Sequence, residues 1–217
     1  MIVCIDGPAG AGKSTVSARV AERTGFLYVN SGSFYRAISK TVLDSGRDPQ
    51  DHSAVVETAS ACRFSILEGG TLAVNEIPAE DLQNDLIDHW SPIHSRIPEV
   101  RAVVNKELRR LAEGRNIVVE GRDIGTVVFP DAQVKIYLDA DLEARSRRRF
   151  EQGVSSLSPE ALRQKLEARD QLDRSKPVGR LAVAPEALYI DTSDLTIDQV
   201  CDRVIREIRK KSDAFGS

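Results

Sequence analysis

A chain of 217 residues, 41% hydrophobic and 29% charged, has the composition of an ordinary globular protein, long enough for one sizeable core and a smaller insertion. Its formal net charge of −3 argues against a general nucleic-acid-coating role. Three unclustered cysteines, Cys4, Cys62 and Cys201, argue against a disulfide framework, and no apolar stretch approaches the roughly 18 residues of a membrane span. A reduced, cytoplasmic protein that is neither exported by a classical signal nor membrane-spanning is therefore expected. His52, His89 and His94 lack metal-ligand spacing and are expected on the surface or in loops.

The apolar run Ile2 to Ile5 reads as a buried parallel strand, and a glycine-rich turn follows it at once. Gly7, Gly12, Lys13 and Ser14 satisfy GxxxxGK[ST], the phosphate-binding loop. Glycines let the backbone N–H groups curl around an oxyanion, and the helix that opens near Gly12 adds unpaired N–H groups and a positive dipole end. Lys13 is expected to reach the β and γ phosphates of ATP, with the Ser14 hydroxyl on Mg²⁺. The expected ATP-binding set is Gly7, Pro8, Ala9, Gly10, Ala11, Gly12, Lys13, Ser14 and Thr15. A plain glycine turn beside a solvated lysine is the alternative, but strand, loop and helix occur in the order the motif demands.

Further along, Lys13 to Thr24 fits a helix that Gly25 ends, Phe26 to Val29 a second strand, and the segment from Asn30 a helix that stops near Gly46. Arg63 to Leu67 and Thr71 to Val74, separated by Glu68, Gly69 and Gly70, carry a hairpin signal that breaks the alternation of strand and helix. Residues 45–97 are therefore expected to form an inserted antiparallel subdomain, with 1–44 and 98–217 as the core. Alternation resumes with a helix after Pro98, a strand at Ile117 to Val119, another at Val134 to Leu138 and a helix over Asp141 to Phe150. After a polar break from Gly153 to Ser158, Ser158 and Pro159 open a helix running to about Ser175. A last strand, Ala187 to Ile190, precedes a helix with Thr196 and Gln199 in capping-box spacing. The fold class expected is α/β, a parallel sheet flanked by helices and entered through a phosphate-binding loop. Ligands of such sheets sit at the carboxyl ends of the strands, where Ser31, Arg122 and Asp123 also fall, so these are expected to share one cleft. Asp6 and Glu120 are placed either to orient Mg²⁺-bound water or simply to end their strands.

The helix after Pro159 buries Leu162 and Leu166, yet the same face continues as Arg169, Asp173 and Lys176. A stripe that turns charged in this way fits a helix leaving the core to enter a ligand cleft; a solvated helix end is the alternative. Between Arg145 and Arg180 there are ten Lys or Arg against five Asp or Glu. Cations gathered on a short helical lid, about 145–158, would suit two nucleotides brought face to face. A basic RNA surface is the rival, weakened because Phe150 is the one aromatic residue there.

IDGPAGAGKST, NSGSFYR (Asn30 to Arg36), EGRDIGTVVFPDAQVKIYLDA (Glu120 to Ala140) and ARDQLDRSK (Ala168 to Lys176) resemble bacterial cytidylate kinases, of the nucleoside monophosphate kinase group. The resemblance implies transfer of the γ-phosphoryl of ATP, with Mg²⁺, to CMP or dCMP, and an insertion that serves the acceptor nucleotide. Ser31, Arg36 and Arg122 would hold the acceptor phosphate, Arg101 and Asp123 would read the cytosine edge, and Arg169 and Asp173 would hold the sugar. Ser91 is carried over as a base contact, although it stands one residue upstream of the family's usual Ser or Thr, with Pro92 in that place. Lys176 stands where the family has an arginine, supplying a point charge in place of a planar fork. The expected catalytic set is Lys13, Arg36, Arg122 and Arg149, with Arg145, Arg147 and Arg148 as alternatives to Arg149. Substrates rather than nucleic acid or membrane are the expected partners, and a monomer is expected. Two rivals remain at this point. One is a phosphate-loop kinase for another small acceptor, such as UMP or AMP. The other is a non-catalytic nucleotide switch, which would want an NKxD element, and Asn105-Lys106-Glu107-Leu108 lacks its final Asp.

Overall fold

The computed structural model describes residues 1–67, 72–78, 82, 84–151 and 157–215. The hairpin turn expected at Glu68 to Gly70, the start of its second strand at Thr71, and Gly153 to Ser156 of the polar break lie outside the described residues. Two compact units emerge, one from Met1–Tyr28 with Asn116–Ser217, the other from Val29–Arg115.

The first unit is built on a five-stranded sheet. Its strands are β1 (Ile2–Asp6), β2 (Leu27–Asn30, of which Leu27 and Tyr28 belong to this unit), β6 (Ile117–Gly121), β7 (Val134–Asp139) and β8 (Leu188–Asp191). Their order is β2-β6-β1-β7-β8, and β1 runs parallel to both neighbours, with Asp6 level with Gly121 on one side and Tyr137 on the other. β1 is apolar from Ile2 to Ile5 because both its faces are covered. Helix α1 (Lys13–Thr24) contributes Val16, Val20 and Ala21, and α8 (Ile197–Phe215) contributes Val200, Cys201, Val204, Ile205 and Ile208, to one core with Val3, Ile5 and Ile136. Gly25 ends α1 in the left-handed region at φ 70°. The capping box of α8 forms as the spacing predicts: Gln199 N donates to Thr196 Oγ1 at 3.2 Å, and Thr196 N to Gln199 Oε1 at 2.9 Å. Helix α6 (Leu142–Glu151) packs against α7 (Pro159–Ser175), which opens with Ser158 accepting from Ala161 N. The two carboxyl ends that matter for ligands, those of β1 and β6, are adjacent in this order.

The second unit carries the small antiparallel sheet: β3 (Phe64–Ile66), β4 (Leu72–Val74) and β5 (Ile77–Pro78), in that order. Among the described residues, four helices accompany it: α2 (Ser31–Asp44), α3 (His52–Ala61), α4 (Asp85–His94) and α5 (Pro98–Ala112). Phe34, Ile38, Val55, Phe64, Ile87, Val100, Val104 and Leu108 are buried, and the Phe34 and Phe64 rings stand 4.9 Å apart. Helices α3 and α4 are additions to the sequence reading. Asp51 caps α3 by accepting from Ser53 N at 2.9 Å, and Asn84 caps α4 by accepting from Ile87 N at 2.9 Å. His94 corrects the expectation of a surface histidine. It is fully buried, with Nε2 donating to Pro49 O at 3.0 Å and Nδ1 2.8 Å from Ser39 Oγ. Burial lowers its pKa, which favours this neutral form. The three cysteines are free and buried, as expected.

Candidate active site

The loop between β1 and α1 is dictated by its glycines. Gly7 has φ +151°, and a Cβ built on it would lie 2.0 Å from Leu138 O on the neighbouring strand, so no side chain fits. Gly12, at φ +88°, turns the chain into α1. Lys13 folds back over this loop, its Nζ donating to Pro8 O at 2.6 Å. Burial pulls its pKa down to about 7; Arg122 adds to the depression, while Glu120, Asp173 and Asp6 oppose it. Lys13 and Arg122 thus lie in one electrostatic field, two cations whose mutual repulsion an anion would relieve.

At the end of β1, Asp6 uses both carboxylate oxygens on the next strand's loop. Its Oδ1 accepts from Ile124 N at 2.9 Å and Oδ2 from Gly125 N at 2.8 Å, capping a π-helical turn (Ile124–Val128) whose preceding residue is Asp123. Burial pushes the Asp6 pKa up to about 6 against the lowering effect of these two donors. Between ending a strand and orienting metal-bound water, the described bonds make Asp6 the clamp of the Asp123 turn. Glu120 is buried and accepts from Tyr28 OH at 2.5 Å.

Arg122, Arg169, Asp173 and Lys176 come together around one carboxylate. Arg122 Nε donates to Asp173 Oδ2 at 2.8 Å, Lys176 Nζ lies 2.9 Å from Asp173 Oδ1, and Arg169 Nε lies 3.5 Å from Oδ2. Burial would raise the Asp173 carboxyl, but Arg122, Arg169 and Lys176 outweigh it and hold the pKa well below the ordinary carboxylate range. The charged continuation of the α7 stripe is therefore a three-cation cluster around a buried anion. Lys176 is itself buried, and that burial lowers its pKa.

The α6 arginines differ in what they touch. Arg145 is buried, with Nε on Ala140 O at 3.0 Å and Nη1 on both Ala9 O at 3.1 Å and Asp170 Oδ2 at 2.6 Å. Arg148 donates to Thr192 O, to Thr192 Oγ1 at 3.0 Å and to Ser193 O at 3.3 Å, and Thr192 Oγ1 in turn lies 3.4 Å from Ala11 O. These two brace the phosphate loop, directly at Ala9 and through Thr192 at Ala11. Arg147 is exposed and Arg149 half-buried.

In the second unit, Ser31 opens α2 and is buried. Arg36, one turn further on, pairs through Nη1 with Asp88 Oδ1 at 2.5 Å and with Leu82 O at 2.9 Å. Arg101 is buried on α5, its guanidinium 5.8 Å from the Tyr35 ring centroid and its Nη1 3.3 Å from Ser95 O. Ser91 is buried on α4 directly before Pro92.

The residues that sequence reasoning left out are Asp88, Asp170, Tyr28 and Thr192. Asp170 had a readable signal, an acidic residue one turn from the expected ligand Asp173 on an amphipathic helix; Asp88, Tyr28 and Thr192 had none, since their partners are distant in the chain. For Mg²⁺ the donor chemistry fits. Ser14 is exposed at the opening of α1, and Mg²⁺ commonly takes one or two protein oxygens together with phosphates and water.

The sequence matches the family described as Cytidylate kinase over residues 3–210. It is 40% identical over 213 residues to the cytidylate kinase of Caldanaerobacter subterraneus subsp. tengcongensis, covering 97% of this chain and 95% of that protein. It is 41% identical over 221 residues to the cytidylate kinase of Mycobacterium avium, covering 98% and 97%. Among solved structures, a shikimate kinase from Bacteroides thetaiotaomicron superposes with a TM-score of 0.52, covering 96% of this chain and 98% of that one. At 12% identity that likeness speaks for the fold alone. Because the match runs through both compact units and not the phosphate loop alone, this chain belongs to the cytidylate kinase family.

Proposed function

We propose that the protein transfers the γ-phosphoryl group of ATP to CMP or dCMP, giving ADP and CDP or dCDP. The observation that carries this reading is that the phosphate loop bearing Lys13 follows β1 while Arg122 follows β6, so both leave the carboxyl ends of adjacent parallel strands. One phosphate-loop cation would serve a nucleotide-binding switch as well; a second cation, delivered by the loop after β6 and oriented by Asp173, suits an acceptor phosphate beside the donor's.

In phosphoryl transfer the protein supplies position and charge rather than covalent chemistry. Lys13 holds the β and γ phosphates of ATP over the Gly7 to Thr15 loop, and Ser14 is the residue to hold Mg²⁺, which neutralises phosphate charge when bound. Arg36, Arg122 and Ser31 hold the acceptor phosphate in line with the γ-phosphorus. Asp123, fixed by the turn that Asp6 caps, accepts from the cytosine amino group, and Arg101 donates to the ring acceptors. Uracil presents a carbonyl where cytosine has its amino group, which leaves Asp123 facing another acceptor. Arg169 and Asp173 hold the sugar, with Lys176 supporting Asp173. Ser91 serves the base, and residues 45–97 act as the acceptor subdomain. Arg149 on the lid, about 145–158, adds charge to the transferring group. No described helix is long and apolar enough to cross a membrane, and we assign the enzyme to the cytoplasm as a monomer.

The test is ADP release from ATP across CMP, dCMP, UMP, AMP and no acceptor, for the wild type and Asp123→Ala. CMP and dCMP are expected to stimulate release, and Asp123→Ala to lose at least ~100-fold in kcat/KM with CMP. Equal release with and without acceptor contradicts the kinase reading, and an unchanged Asp123→Ala contradicts the choice of cytosine.

A further inference from the structure

The two Arg36 bonds both leave from one nitrogen. Nη1 donates to Asp88 Oδ1 at 2.5 Å and to Leu82 O at 2.9 Å. A guanidinium carries five N–H groups, two of them on Nη1. With both taken, the end-on fork formed by Nη1 and Nη2 is closed to a planar anion, and the side-on fork formed by Nε and Nη2 is the two-pronged face that fits phosphate.

We propose that Asp88 is a positioning residue for the acceptor nucleotide: it holds Arg36 by its Nη1 end so that the Nε–Nη2 edge is presented to the CMP phosphate. The inference rests on the reading of Arg36 as an acceptor-phosphate ligand. Asp88 lies on α4 and Arg36 on α2, two helices packed against each other, so the arginine is tied from outside its own helix. A long, flexible side chain gains from such a tie because its rotamer freedom is restricted before the ligand arrives. Asp88 also brings a negative charge towards a dianionic ligand. That repulsion is the weaker effect, since both side chains of the pair are 27% exposed and water screens them. Leu82 O holds the same nitrogen without charge, so neutralising position 88 leaves Arg36 half-tied rather than loose.

The test is a double-mutant cycle at the acceptor site, read as KM for CMP, KM for ATP, kcat and melting temperature. Asp88→Ala is expected to raise KM for CMP roughly tenfold, with KM for ATP within about twofold, and Asp88→Asn, which keeps the Oδ1 acceptor, to fall between it and wild type. In an Arg36→Ala background, Asp88→Ala is expected to change CMP binding, measured by titration calorimetry, less than twofold. A lower melting temperature with unchanged KM for CMP makes the pair only a helix-to-helix tie and overturns the proposal; so does an equal effect in both backgrounds, or a lower KM for CMP in Asp88→Ala. Wild-type protein that binds no CMP overturns the functional reading and this inference together, whereas normal wild-type binding with any of the preceding results overturns this inference alone.

Discussion

Arg122 donates its Nε to Asp173 Oδ2 at 2.8 Å, and the accepting carboxylate is 1% exposed. Lys176 and Arg169 lie against the same carboxylate, so Asp173 offsets the charge of three cations in a small volume. Removing it takes away a buried charge that all three contact. Asp173→Ala is predicted to lose about 3–5 kcal/mol of stability at neutral pH, measured by urea unfolding, because one partner of a buried pair is gone while the others stay. The pH dependence follows from the depressed carboxyl. Its folded pKa lies below the ordinary 3.8, so its contribution is complete above pH 3.8 and is lost as pH falls towards the folded value. The gap between wild type and variant is therefore predicted to narrow below pH 3.8.

Lys13 makes its prediction in a higher pH range. Its folded pKa is about 7 against an ordinary 10.5, so without ligand the side chain is largely neutral at pH 8.5. A bound triphosphate favours the ammonium form, and binding is predicted to take up close to one proton at pH 8.5 and few at pH 6. Calorimetry of ATP binding in buffers of different ionisation enthalpy measures this directly. The same depression means the unliganded fold gains stability from Lys13 as pH rises from about 7 towards 10.5, where the unfolded chain still holds the proton.

Two glycines of the phosphate loop separate space from backbone angle. Gly12→Ala places a Cβ in open space at φ +88° and is predicted to cost about 1–2 kcal/mol, the penalty of the left-handed region. Gly7→Ala places one 2.0 Å from the Leu138 carbonyl, which strand pairing fixes, and is predicted to cost more than ~4 kcal/mol. Thermal melts of the two variants rank them.

Among the α6 arginines, two hold the phosphate loop through described bonds. Arg145 and Arg148 are engaged with the backbone at Ala9, Ala140, Thr192 and Ser193. Arg148→Ala is predicted to raise KM for ATP and lower the melting temperature. Arg149→Ala is predicted to lower kcat by roughly 10³ with KM for ATP changed only a few-fold, as for a group acting on the transferring phosphoryl. Exposed Arg147 gives the control, with kcat near wild type.

Local signals carried the sequence reading a long way in the first unit. Ser158 with Pro159, Thr196 with Gln199, and Gly25 each fix a helix end through bonds within a few residues, so the chain itself states them. In the second unit the hairpin was legible from its short apolar runs, but α3 and α4 were not. The buried residues of α3 are Val55, Thr58 and Ala59, which make a weak stripe, and α4 contains Pro92 in its interior, which reads as a break. The site residues that follow strand ends were readable from motif position. The clamp of Asp6 on Ile124 and Gly125 spans more than a hundred residues, and the Arg145 bond to Ala9 is longer still. Contacts of that range depend on strand order, which local periodicity does not encode.

If Lys13 and Arg122 bring a donor and an acceptor phosphate together, every γ-phosphoryl that leaves ATP arrives on CMP. Phosphorus NMR of the wild type with ATP, Mg²⁺ and CMP follows every phosphorus at once. The predicted result is that ADP and CDP signals grow in equal amounts while inorganic phosphate stays flat. Growth of ADP with inorganic phosphate, and no CDP, would contradict it.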